Sequence, residues 1–170
     1  MAHSTKKLGM MFTVAGWILG ILLLVLGFSK ILDQQHNPNQ SISTAQSTGF
    51  QEIVLQRNRS GHYVFDGEIN HKKVTFLVDT GATTTAIPGK LQLELGLRAG
   101  PATSVSTANG TTTAYLTRLD QLALGAIELS EVNASIIPGM LTDEVLLGMN
   151  VLKHFELVQR GNQLIIRQYR

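Results

Sequence analysis

The sequence contains no cysteine, which excludes a disulfide framework, a cysteine nucleophile and a thiolate metal site. Charge is scarce and unevenly placed. Residues 1–49 carry Lys6, Lys7 and Lys30 against Asp33, whereas residues 50–170 carry eleven basic and eleven acidic side chains. The isoelectric point near 9.0 therefore belongs to the N-terminal end. The rest of the chain has no net positive charge with which to hold nucleic acid, and no partner of that class is expected. No internal repeat is visible. The 121 residues from Phe50 onward make one domain and leave no room for two lobes. Metal-ligand spacing is also missing from His62, His71 and His154, and Ser60, Ser106 and Ser135 lack a nucleophile elbow. No metal or organic cofactor is expected.

What the chain does have begins with residues 8–29, an uncharged run in which 12 of 22 side chains are Leu, Ile, Val or Phe. As a helix the run spans about 33 Å, enough for a hydrocarbon core of roughly 30 Å. It is longer than a signal-peptide core and ends without an Ala-x-Ala exit, so it reads as an uncleaved transmembrane anchor. Lys6 and Lys7 precede it and Lys30 follows beside Asp33, which places residues 1–7 in the cytoplasm and the domain across the membrane. Residues 30–49 are rich in Gln, Asn, Ser and Thr and read as a polar, flexible linker.

From residue 50 the pattern is one of short strands, expected at 53–57, 62–65, 68–69, 74–78, 116–124, 127–129, 132–137, 145–147, 156–159 and 164–167. Asp66-Gly67 reads as a turn, and so does Lys72-Lys73 beside Asn70-His71. Asn109-Gly110 is a hairpin signal between two flanking runs. Short helices fit at 88–95, with Gly96 as a stop, and at 150–155. So many strands with so little helix predict an all-β barrel or sandwich.

The chemistry centres on Asp79-Thr80-Gly81-Ala82, set directly after the apolar strand 74–78. A buried strand that ends in a carboxylate is odd unless the carboxylate is used, although the same residues also suit an ordinary turn. Farther along comes the apolar strand 145–147, with Leu146 and Leu147 leading into Gly148 and a short helix. With the Asn109-Gly110 hairpin between them, these elements resemble the retropepsin-like (clan AA) aspartic proteases, in particular the bacterial membrane-anchored, single-lobe family. The resemblance covers residues 50–170, and the anchor and polar linker fit that group too. It implies a retropepsin-like closed barrel with one or two short helices behind a single N-terminal transmembrane helix. It also implies Asp79 as the catalytic residue, an active-site loop of Thr80, Gly81 and Ala82, and a flap over residues 105–115 with Ala108, Asn109 and Gly110 at its tip. Leu146, Leu147 and Gly148 form the supporting motif.

Peptide hydrolysis by carboxylates needs two of them, one as base and one as acid. The chain carries a single Asp-Thr-Gly, and Asp66, Asp120 and Asp143 lack its context. A two-fold homodimer supplies the second Asp79. The expectation is an aspartic endopeptidase of a bacterial inner membrane, with its protease domain in the periplasm. It acts on peptide or protein substrates with apolar residues at the cut. The enzyme can also process its own linker near Ile42, Phe50, Ile53, Val54 and Leu55. Tyr115 either closes over substrate or packs in the hairpin. The alternatives are a catalytically idle retropepsin-like module that binds peptides or dimerises at the membrane, and a structural protein with an incidental Asp-Thr-Gly.

Overall fold

A computed structural model describes residues 2–107 and 110–169 in two units, residues 1–35 and residues 36–170. The first unit is made of helix α1 (Ala2–His36) except its last residue, and the helix's apolar side chains from Met10 to Leu32 are exposed. It is the one helix among the described residues long and apolar enough to cross a membrane. Its end lies beyond the expected 29. Lys30, Leu32 and Gln34 favour helix, and the stop comes at Asn37, because a residue before proline avoids the helical region.

Among the described residues the second unit has eleven strands: β1 (Thr44–Ser47), β2 (Phe50–Gln56), β3 (Val64–Ile69), β4 (Lys72–Val78), β5 (Thr85–Pro88), β6 (Ala102–Thr107), β7 (Gly110–Leu124), β8 (Ile127–Ile137), β9 (Val145–Leu147), β10 (Glu156–Arg160) and β11 (Gln163–Tyr169). One sheet runs β3-β4-β9-β5-β8-β7-β6, and a further β3–β7 pairing closes six of these strands into a ring with β6 outside it. The second sheet runs β1-β2-β11-β10 and is antiparallel throughout. Alternating side chains point inward from both sheets, so Ile53, Leu55, Phe65, Phe76, Leu122, Leu124, Ile136 and Ile166 build one core. The second unit is mostly β, as the sequence predicts.

Four local expectations differ from the structure. Residues 30–49 do not form a loose tether, because Asn37 and Asn39 are buried. Asn39 donates from Nδ2 to the carbonyls of Gln56 (2.9 Å) and Val64 (2.7 Å), and its Oδ1 accepts from the Gln56 amide (2.7 Å). It thus does for the ends of β2 and β3 what a neighbouring strand would do. Asn37 donates to Asp66 (2.7 Å), β1 adds four residues to the second sheet, and His36 meets Glu144 at 2.6 Å. Asp66-Gly67 lies inside β3, and the turn falls on Asn70 and His71, both with positive φ; Lys72 and Lys73 open β4. The helix expected at 88–95 shrinks to a single 3-10 turn at Gly89–Leu91, since Pro88 ends β5 and the chain must swing Leu95 and Leu97 into the core. Strands expected apart at 127–129 and 132–137 are one strand, β8.

Candidate active site

Strand β4 buries Val74 and Phe76 and runs parallel to β9, with Leu77 opposite Leu146 and Val78 opposite Leu147. The Asp79 amide extends this pairing by donating to the Leu147 carbonyl at 3.1 Å. The chain then turns, as the Ala82 amide donates back to the Asp79 carbonyl (3.2 Å). Gly81 donates its amide to Asp79 Oδ1 at 2.9 Å, and a Cβ at Gly81 would stand only 3.2 Å from that oxygen. Asp79 is half-buried, Thr80 and Gly81 are exposed, and Ala82 is half-buried. The carboxylate thus stands at the mouth of a turn, oriented by a backbone amide.

The far side of this turn is fastened to the segment after β9. Helix α2 (Met149–Leu152) is a single turn, shorter than the helix expected at 150–155. Its first amides point at the loop, with Met149 donating to the Ala82 carbonyl (2.8 Å) and Asn150 to the Thr83 carbonyl (3.1 Å). Gly148 is where the two segments pass closest. A Cβ there would lie 2.6 Å from the Thr84 carbonyl carbon and 2.9 Å from the Ala82 oxygen. Glycine is the residue that permits this approach. Asn150, absent from the sequence-based site list, adds a side-chain tie. Its Oδ1 accepts from the Thr85 amide (2.8 Å) and hydroxyl (3.1 Å), and its Nδ2 donates to the Asn133 carbonyl on β8 (2.7 Å). An Asn opening a helix reads as a cap, so its long-range role leaves no local signal.

Strands β6 and β7 form the hairpin expected over residues 105–115, in a register that sets Thr107 opposite Gly110 and Ala102 opposite Tyr115. Gly110 has φ +105°, and Thr107 Oγ1 donates to its carbonyl at 2.7 Å. Ala108 and Asn109, expected at the tip, lie outside the described residues. Tyr115 is half-buried and packs against the main core. A second apolar cluster lies at the base of the hairpin, where Ala86, Ala114 and Ile137 are buried with Val105, Met140 and Leu146 packed on them. Leu146 sits opposite Ala86 and one residue before Leu147, whose carbonyl accepts from the Asp79 amide.

Three other carboxylates, Asp66, Asp143 and Glu144, are engaged elsewhere. Asp66 accepts from Asn37 and Thr75 and pairs with Lys73 at 2.8 Å. Asp143 pairs with Lys90, and Glu144 with His36.

Comparisons with known proteins agree with this geometry. A family model described as gag-polyprotein putative aspartyl protease matches residues 65–154. An uncharacterized protein of Sinorhizobium sp., from the cobV 5′ region, is 30% identical over 169 residues, covering 91% of this chain and 72% of the relative. An uncharacterized protein of Rickettsia prowazekii (strain Madrid E) is 27% identical, covering 93% and 71%. The crystal structure of a retropepsin-like aspartic protease from Rickettsia conorii superposes with a TM-score of 0.60 at 28% identity, over 75% of this chain and 96% of that one. With Asp-Thr-Gly-Ala at the turn after β4 and the Gly148 close approach beneath it, the chain belongs to the gag-polyprotein putative aspartyl protease family and has the retropepsin-like fold.

Proposed function

We propose that the chain is a membrane-anchored aspartic endopeptidase that works as a homodimer. The observation that carries this reading is the single Asp79, oriented at the mouth of a clamped turn in a one-lobe fold. A lone carboxylate is half of a hydrolytic pair, and a two-fold axis through the turn supplies the other half. One Asp79 takes a proton from water while the water oxygen adds to the scissile carbonyl carbon. The other gives its proton to the carbonyl oxygen. The tetrahedral diol then collapses, the C–N bond breaks, and the amine leaves with a proton returned from the pair. Thr80 and Gly81 hold the two turns against each other, and Ala82 lies beside the substrate backbone. The β6–β7 hairpin closes over an extended peptide and keeps bulk water out. The apolar cluster around Ala86, Ile137 and Leu146 suits substrates with apolar side chains at the cut.

Helix α1 exposes a continuous apolar surface that a bilayer would cover. The lysines at its start favour a cytoplasmic N-terminus in a bacterial inner membrane, with the protease domain in the periplasm. Self-processing belongs to the same reading but in a narrower window. Ile53 and Leu55 are fully buried in β2, so an extended substrate strand is available only within residues 40–49. The test is digestion of a peptide library by the full-length chain in detergent, followed by mass spectrometry, beside Asp79→Asn. Cuts made by the wild type alone support the enzyme. Peptide binding without cuts in either protein supports the idle module, and equal cutting by both removes Asp79 from the mechanism.

A further inference from the structure

We infer that Asn150 is a positioning residue for Asp79, setting the rate of cleavage through the geometry of the turn and not through the stability of the fold. This rests on the protease reading above. The turn of residues 79–84 is gripped along its length. The Asp79 amide is held by Leu147, the Ala82 and Thr83 carbonyls by the amides of Met149 and Asn150, and the Thr85 amide by the Asn150 side chain. Backbone groups make most of this grip and survive substitution; the Thr85 contact does not. Thr85 is fully buried, and its hydroxyl donates to Asn150 Oδ1 while accepting from the Gly148 amide at 3.4 Å. Removing the Asn150 carboxamide therefore strands a buried amide and unties a hydroxyl at the point where the turn enters β5. A buried donor without an acceptor forces local rearrangement.

The other end of the carboxamide reaches a different element. Nδ2 donates to the Asn133 carbonyl on β8, and Asn133 sits opposite Arg118 on β7, the strand that returns from the flap. One half-buried side chain thus fixes the carboxylate-bearing turn to the scaffold that carries the flap. Reacting groups displaced by about 1 Å can lose roughly 10²-fold in rate even when substrate still binds. The expected signature is a fall in kcat with KM preserved.

Four full-length proteins in detergent decide it: wild type, Asn150→Ala, Asn150→Asp and Ile166→Ala. The last is a core variant in the second sheet, used as a control for stability loss. Asp retains the acceptor for Thr85 and loses the donor to Asn133. Amide hydrogen exchange over residues 79–85 should speed up by about tenfold in Asn150→Ala, by less in Asn150→Asp, and not in Ile166→Ala at matched global stability. kcat should fall in the same order, by roughly 10²-fold for Asn150→Ala, with KM within about twofold. Unchanged exchange at residues 79–85, or loss of kcat in step with melting temperature across all three variants, would overturn the assignment. If Asn150→Ala does not fold, Asn150→Asp decides on the same readouts. A wild type that cuts nothing defeats the protease reading, while the exchange measurement still decides whether Asn150 holds the turn.

Discussion

Asp79 is a half-buried side chain at the end of a strand, bonded to the Gly81 amide, and the core does not depend on it. Asp79→Asn preserves the side-chain oxygen that Gly81 reaches and, in the proposed mechanism, removes the acid–base function. Its cleavage rate should fall by about 10²–10⁴-fold with the melting temperature nearly unchanged, which parallel kinetics and calorimetry will show. Gly148 is the opposite case. A methyl group there meets backbone on two sides, at 2.6 Å from Thr84 and 2.9 Å from Ala82, and backbone cannot rotate aside. Gly148→Ala should cost about 1–3 kcal/mol and push the turn away from α2, read as a lower denaturation midpoint together with lost activity. Both residues were legible in the sequence because chemistry restricts their types. Asn150 and Asn39 were not. Asparagine is common in caps and linkers, and only the fold reveals that each carboxamide serves partners distant in sequence.

At the scale of elements, the strands were readable wherever one face is buried, as in β2, β4 and β11. The reading failed where a tertiary contact outweighs local preference. Residues 88–95 have a helical look, yet Leu95 and Leu97 must both reach the core from a chain leaving β5, and a regular helix cannot place them there. The segment from Asn37 to Ser47 failed for the opposite reason. Its composition is mostly polar, with Ile42 alone as a large apolar side chain, and hydrogen bonds hold it while Ile42 packs on the core. Replacing Asn39 by Ala would leave the Gln56 amide and the Gln56 and Val64 carbonyls without their partners, at a cost of about 1–3 kcal/mol. The expected result is a melting temperature lower by about 2–4 °C per kcal/mol, with faster amide exchange at the ends of β2 and β3.

For the whole molecule, the proposed mechanism makes activity a property of pairs, because each chain carries a single Asp-Thr-Gly at Asp79. Specific activity in detergent should rise with protein concentration and then level off as dimers saturate. Mixing wild type with an excess of Asp79→Asn should silence the wild-type chains by forming mixed dimers. Activity that is independent of concentration below the measured dimer dissociation constant, and indifferent to the mutant, would mean that one chain suffices. If α1 anchors the chain as proposed, the same equilibrium runs in two dimensions, where anchoring raises the chance of encounter without any new contact.

The asparagine clasp at residues 37–39 separates two events that a linker cut would seem to merge. A nick anywhere from residue 40 to residue 49 breaks the covalent thread, yet Asn37 and Asn39 remain seated against Asp66, Gln56 and Val64. A nick at the Gly49 turn would leave β1 paired with β2 as well. On the proposed anchored reading, the cut protein is then a two-piece assembly that keeps its membrane address, and shedding becomes a dissociation step with its own rate. Denaturing electrophoresis of nicked protein in vesicles should show two fragments while sedimentation finds both with the lipid. The same nick made in Asn39→Ala should let the larger fragment drift into the supernatant.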